Sequence, residues 1–188
     1  NFVPQAAVFD IPMEFPNEKV ARKVLAQGSP VFEKLKGYYA EKNIDLLGIT
    51  DQGFRQLTNN KPVASIDDLK GMKIRTMENR YHLAFWRGVG ANPTPMTWSE
   101  VYMGLQQGVI DGQENPIESI VAARVYEQQK YVTTTNHIYH TVVLIGSPKI
   151  INQLPPDLQK LIDEVAKDAT VWASEQTDKR AAGRAKIV

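Results

Sequence analysis

The sequence predicts an α/β protein, on three observations. Short apolar or β-branched segments of strand length alternate with amphipathic segments of helix length. Ser, Thr or Asn stands ahead of most helical segments, and Gly follows several of them. Pro and Gly clusters punctuate the joins, with no internal repeat, low-complexity tract or flexible linker between them. The alternation predicts largely parallel strand pairing, and composition alone does not reveal a division into domains.

In chain order, Asn17–Gln27 and Pro30–Lys42 carry helical patterns separated by Gly28-Ser29-Pro30, with Asn17 and Ser29 placed to cap them. Ile44–Thr50 is a mostly apolar run of strand length, expected to be buried on both faces. Asp51-Gln52-Gly53 is expected to break it before Phe54–Thr58 resumes an extended pattern. Ser65–Leu69 reads as a short capped turn ending at Gly71, Met72–Arg75 as a strand, and Asn79–Val89 as a helix closed by Gly90. Pro93 and Pro95 force Ala91–Pro95 to be extended.

Thr97-Trp98-Ser99-Glu100 is a capping box opening the helix Trp98–Gln107. Val109–Asp111 is expected to be a very short strand and Gly112–Asn115 a loop. Pro116 then starts a helix reaching about Lys130. Tyr131–Tyr139 and Thr141–Ile145 read as strands, and Lys149–Gln153 as a short helix. From Pro156 a long helix closes the chain, its apolar stripe expected at Leu158, Ile162, Val165, Ala169 and Trp172.

Among the 188 residues, 22 basic and 21 acidic side chains nearly cancel, for a formal charge of +1. No basic field or polybasic run is present to hold nucleic acid or an anionic membrane. Any anion must be bound by a few placed groups. The absence of cysteine excludes disulfides, thiolate zinc sites and cysteine nucleophiles. No apolar run approaches the ~20 residues that span a bilayer. The first residue is Asn and no signal peptide precedes it, while the last helix runs on to Val188 without a cap. The expectation is an internal segment of a longer protein.

His137 and His140, three apart on an expected strand, would face opposite ways and make a poor metal pair. No metalloprotease, nucleophile-elbow or Walker motif is present. Gly88-Val89-Gly90 ends a helix where a dinucleotide fingerprint would begin one. Asp111 and Glu114 in DGQEN lie close in sequence, and the reading favoured for them is turn capping and a buried hydrogen bond over general acid–base catalysis.

Arg75 ends an expected strand immediately before a helix, where open α/β sheets bind ligands. Its planar fork of donors matches a carboxylate. The competing reading is a surface arginine paired with Asp67 or Glu78. Asn115 and Arg55 also lie at strand ends, so three polar groups are placed as in a small-ligand cleft. Tyr81/Phe85 and Trp98/Tyr102 each share a helical face at i, i+4 and are expected in the core, except that Trp98 begins its helix and can face a cleft.

The run from Gly71 to Pro116, GMKIRTMENRYHLAFWRGVGANPTPMTWSEVYMGLQQGVIDGQENP, resembles the hallmark region of solute-binding proteins of tripartite ATP-independent periplasmic (TRAP) transporters, of the C4-dicarboxylate and sialic-acid type. The stretch DQGFRQLTNNKPVASIDDLKGMKIR before it, and TNH and LPPDLQKLIDEVAKDA after it, resemble the same family, so the likeness covers essentially the whole chain.

The resemblance implies a hinged trap of two α/β domains, incomplete here, with a long C-terminal spine helix. Residues 1–52 and 141–180 would be part of the first domain, its N-terminal portion missing. Residues 53–140 and 181–188 would form the second. It implies that Arg75 forms a salt bridge with the ligand carboxylate, that Asn115 completes its binding, that Arg55 lies near the ligand, and that Trp98 closes one side of the pocket. Glu114 and His137 would act behind the cleft.

The implied function is capture of a small organic acid by domain closure, for delivery to TRAP membrane subunits. No enzyme activity, metal, cofactor or nucleic acid partner is implied. The location would be the periplasm, or the outer face of a Gram-positive cell as a lipoprotein. A ligand sensor for a receptor, a carboxylate-processing enzyme using Asp111 and Glu114, and a structural piece without ligand are the competing readings.

Overall fold

The structure is a computed structural model describing residues 2–187. The chain divides into two compact units. One comprises Asn1–Phe9, Phe15–Gly53 and Tyr139–Lys179; the other Asp10–Glu14, Phe54–Ile138 and Arg180–Val188.

In the first unit, α1 (Glu18–Leu25) starts on Asn17, whose Oδ1 accepts the Val20 amide at 2.9 Å. Helix α2 (Pro30–Ala40) starts on Ser29, whose Oγ accepts the Phe32 amide at 3.0 Å. Each cap satisfies one of the otherwise orphaned first-turn donors. Strand β1 (Asp45–Asn59) then runs for 15 residues, Asp45–Gly53 in this unit and Phe54–Asn59 in the other. The expected break at Asp51-Gln52-Gly53 is not one. Gly53 takes the left-handed conformation (φ 75°) inside the strand, and the Asp51 carboxylate accepts its amide at 3.0 Å. The kink is therefore satisfied without ending the ladder. Burial in the first half of β1 alternates, with Leu46 fully inside, so the expected burial on both faces does not hold.

The second unit contains β2 (Lys73–Thr76), α3 (Arg80–Gly88), β3 (Asn92–Pro95), α4 (Trp98–Gln106), β4 (Gly112–Pro116), α5 (Ile117–Ala122) and β5 (Tyr131–Thr133). The sheet order is β3-β2-β4-β1-β5. Strand β2 is parallel to β3 and β4, whereas β4 and β5 are antiparallel to β1, so the sheet is mixed instead of largely parallel. One face packs Leu57, Ile74 and Trp86 with Leu69, Met72 and Ala91. A second apolar cluster joins Val101 and Leu105 of α4 to Ile110, Ile120 and Val125.

Strand β4 is the main departure from expectation. Residues 109–111 form no strand, and the expected loop Gly112–Asn115 is a fully buried strand. Its polar side chains pair across the sheet, which removes the penalty that made DGQEN read as a loop. Gly112 is required there, because a Cβ would lie 2.4 Å from the Thr58 carbonyl oxygen.

Helix α5 ends at Ala122, short of Lys130. Arg124 turns left-handed (φ 55°), and a 3-10 turn brings Val125 into the core beside Ile120. The expected strand Tyr131–Tyr139 survives only as β5, and His137 lies in an irregular stretch.

Strand β6 (Tyr139–Gly146), which pairs with β1, and α6 (Pro148–Ile151) complete the first unit together with most of α7 (Pro156–Arg184). The inward face of α7 holds Ala166 and Thr170, with Ile162, Ser174 and Thr177 half-buried. Leu158, Val165 and Trp172 of the expected stripe are 41%, 56% and 59% exposed, and Ala169 is exposed too. Small residues face inward because the helix sits close to β1. A Cβ on Gly48 would meet Thr170 Cγ2 at 2.6 Å.

Gly112→Ala is expected to lower stability by about 2 kcal/mol or more, since an overpacked backbone contact has no side chain to move aside. Gly37→Ala, in exposed helix with open space around it, should raise stability by about 0.5–1 kcal/mol. Urea midpoints of the two variants check the pair; equal shifts would remove the argument for β4.

Candidate functional site

Strand register sorts the polar side chains of the second unit. Arg75 pairs with Gln113 across β2 and β4, Gln113 with Thr58 and Asn115 with Gln56 across β4 and β1. Directly paired residues share a face, so Arg75, Gln113, Asn115, Gln56 and Thr58 lie on one side. Arg55, Leu57, Ile74 and Glu114 lie on the other. Of the residues expected at or near a ligand, the register places Arg75 and Asn115 on one face and Arg55 on the other.

Arg75 is nearly buried, at 4% exposure. Its Nε and Nη2 donate to the Met96 carbonyl oxygen at 2.9 and 2.7 Å. Neither Asp67 nor Glu78 pairs with it, and Asp67 binds Lys70 instead. Nη1 has no hydrogen-bond partner among the described residues. Because one guanidinium carries five N–H donors, the Met96 carbonyl takes the side fork and leaves the end-on fork of Nη1 and Nη2 uncommitted. Burial pulls the Arg75 pKa down and Arg55 adds to this, while Glu114 opposes; a guanidinium remains charged under such shifts.

The Trp98 ring lies 5.3 Å from the Arg75 guanidinium carbon and is 39% exposed. Its place at the first position of α4 follows from the Thr97–Glu100 capping box, in which the Thr97 amide donates to Glu100 at 3.3 Å.

Asn115 donates from Nδ2 to Gln113 Oε1 at 2.8 Å. Gln113 donates to Thr58 Oγ1 at 2.8 Å, and Thr58 donates to Gln129 Oε1 at 3.1 Å. This relay fixes the orientation of the Asn115 amide. Among the described residues, the other N–H and the Oδ1 acceptor of Asn115 have no hydrogen-bond partner. Two cavities, of about 260 and 200 Å³, open elsewhere, one per unit, and neither is lined by Arg75, Asn115 or Trp98.

On the opposite face Arg55 and Glu114 are both wholly buried. Arg55 donates from Nε and Nη2 to the Glu114 carboxylate at 2.5 and 3.0 Å, and from Nη2 to the Glu114 carbonyl oxygen at 2.6 Å. His137 Nε2 lies 2.8 Å from the same carboxylate, with its ring stacked on Phe85 and its Nδ1 2.8 Å from Thr135 Oγ1. Burial raises the Glu114 pKa, but the charge of Arg55 and the hydrogen bonds from His137 and His82 outweigh it and hold the carboxyl well below its ordinary range.

His82 was not among the residues singled out from sequence. It is buried, its Nδ1 3.4 Å from Glu114. The available signal was the His82/Trp86 spacing, which is the buried stripe of α3 one residue on from Tyr81/Phe85. Asp111 is exposed and its carboxylate accepts the Lys73 amide at 2.8 Å.

Glu114→Gln leaves the Arg55 charge buried without a counter-charge, so a loss of about 3–5 kcal/mol at pH 7 is expected from urea denaturation. A depressed carboxyl pKa contributes stability that is present above the unfolded value, near 4.3, and is lost as pH falls toward the folded value. The wild type should therefore lose stability more steeply than the variant on acidification below about pH 4. Parallel curves would show that the pair contributes nothing.

Residues 1–186 match the family model described as bacterial extracellular solute-binding protein, family 7. A solute-binding protein of Verminephrobacter eiseniae is 39% identical over 90% of this chain and 50% of its own length. Among solved structures, a TRAP periplasmic solute-binding protein from Bordetella bronchispeptica, its density interpreted as pantoate, superposes with a TM-score of 0.92 at 37% identity, over 99% of this chain and 62% of that one. A second, from Polaromonas sp. JS666 bound to D-erythronate, gives 0.89 at 34% identity with coverage of 99% and 62%. The chain thus spans about half the length of the curated relatives it matches. It belongs to the DctP family, the bacterial extracellular solute-binding proteins of family 7.

Proposed function

We propose that this chain carries the carboxylate anchor of a TRAP solute-binding protein that captures a short hydroxylated monocarboxylate in the periplasm and delivers it to TRAP membrane subunits. The observation that carries the reading is the uncommitted end-on fork of Arg75, held rigid by the Met96 carbonyl oxygen. A carboxylate fits that fork bidentately, and charge-assisted bonds of this kind are roughly twice as strong as neutral ones. The partly exposed Trp98 ring supplies an apolar wall beside it.

Asn115 offers one donor and one acceptor, which suits a carboxylate oxygen together with a neighbouring hydroxyl. The solved relatives with pantoate and D-erythronate, both hydroxylated four-carbon-chain monocarboxylates, support this ligand class. Arg55 serves by holding Glu114 beneath the sheet, without touching ligand. No bond is made or broken in this reading: Asp111 is occupied by a backbone amide and Glu114 by Arg55 and His137.

Thermal denaturation and calorimetry on the purified protein test the reading. D-Erythronate and pantoate should raise the midpoint, because a ligand that binds only the folded state stabilises it, and the uncharged polyol erythritol should not. Arg75→Lys retains the charge but loses the fork, and an affinity loss of about tenfold or more is expected. Equal affinity in wild type and Arg75→Lys would overturn the anchor; stabilisation by erythritol would overturn the ligand class.

A further inference from the structure

His82 is enclosed by carboxylates at both ring nitrogens. Nδ1 lies 3.4 Å from Glu114 Oε1 and Nε2 lies 3.8 Å from Asp10 Oδ1, and the imidazole is wholly buried. A neutral imidazole has one N–H, so either tautomer would turn a lone pair toward a carboxylate. Only the imidazolium presents a donor to each.

The ion pairs agree. Arg55 and Glu114 pair with each other, and among the described residues Asp10 has no ion pair except that with His82. The remaining member, His137, already uses Nε2 on the other oxygen of Glu114.

Asp10 belongs to an unusual piece of chain. Asp10–Glu14 counts with the second unit, while the residues on both sides of it count with the first. Two further bonds hold this segment: Asn79 Nδ2 donates to Asp10 Oδ2 at 2.7 Å, and the Met13 amide donates to the His137 carbonyl oxygen at 2.8 Å. Met13 itself is left-handed (φ 61°) and 62% exposed, so its backbone is held there by that bond and not by burial of its side chain.

We propose that His82 is a proton-dependent positioning residue: as an imidazolium it bridges Asp10 to Glu114 and docks the segment Asp10–Glu14 onto the buried cluster. The groups facing it are Asp10 from that segment, Glu114 from β4, and Arg55 and His137 around the same carboxylate. Burial opposes its charge, and so does Arg55, but Asp10 and Glu114 outweigh them and the His82 pKa is raised. A raised pKa contributes stability that is fully present below the unfolded value and is lost as pH rises through the folded one. Docking therefore tightens toward mildly acidic pH and loosens toward alkaline pH. The inference does not depend on the ligand reading, because it concerns the protein without ligand.

The test combines an imidazole NMR titration with amide hydrogen exchange, corrected for intrinsic rates, from pH 5.5 to 9.5. His82 should titrate above the free-histidine value of about 6.5, and the protection of the Met13 amide should fall at least fivefold as it does. At pH 6, His82→Gln should lower that protection at least fivefold and remove its pH dependence. Asp10→Asn, at a carboxylate 28% exposed, keeps an acceptor for Asn79 and should also flatten the profile, so the idea remains testable even where the buried variant fails to fold. A His82 midpoint at or below about 6.5 would overturn the proposal. So would Met13 protection that ignores both substitutions.

Discussion

An arginine and a glutamate buried together beneath a sheet impose a severe condition on everything around them. Either charge alone inside the protein costs several kcal/mol, and the pair is tolerable only when its geometry and remaining hydrogen bonds are satisfied. Arg55 sits on β1 and Glu114 on β4, so the condition acts on the register between these two strands. A shift of one residue would move Glu114 to the other face and strand Arg55. With Arg55 opposite Pro116 and Leu57 opposite Glu114, the bidentate contact, the His137 contact and the backbone carbonyl bond all form at once. The same register brings Gly112 against Thr58, where any side chain would collide.

That register decides what the other face presents. Once Glu114 is turned inward, Gln113 and Asn115 must point the opposite way, toward Arg75 on the neighbouring strand. The neutral relay from Asn115 to Gln129 and the charged cluster around Glu114 are thus two consequences of one alternation. They carry different burdens. The charged side fixes the strands with interactions that are expensive to disturb, whereas the neutral side holds amide groups in place and keeps some of their donors and acceptors unspent. The separation lets the Arg75 face vary its polar groups without disturbing the ion pair that sets its backbone.

Much of the framework was legible because local chemistry dictates it. Asn17, Ser29 and Thr97 cap the helices that their sequence contexts announce. Arg75 could be placed at a strand end beside a helix from pattern alone. What escaped was set by partners distant in sequence. DGQEN is polar enough to read as a loop, and nothing local reveals that Arg55, 59 residues away, neutralises its glutamate.

The inward face of α7 could not be found by following large apolar residues, since its buried residues are Ala166 and Thr170 and Thr170 packs against Gly48 of β1. The end of α5 has no breaker in Ala122-Ala123-Arg124; the demand that Val125 reach the core ends it. In the same way the sequence could nominate Arg55 as a polar group at a strand end, but not show that the sheet would hide it.

On the proposed reading, in which Arg75 anchors a ligand carboxylate, the Met96 carbonyl also bears on recognition. A free arginine side chain has considerable rotamer entropy, and freezing it around a ligand subtracts from affinity. At Arg75 that ordering has already taken place on folding. The two bonds to the Met96 oxygen fix the plane of the guanidinium, and the Trp98 ring limits its movement to one side. Trp98 is itself fixed by its position directly after the cap of α4. The capping box at Thr97 and Glu100, a purely local feature, thereby contributes to the orientation of a charge on a different strand. Removing either the cap or the Met96 contact would leave every donor of Arg75 present, yet return to the proposed binding step an ordering cost that the folded chain now absorbs.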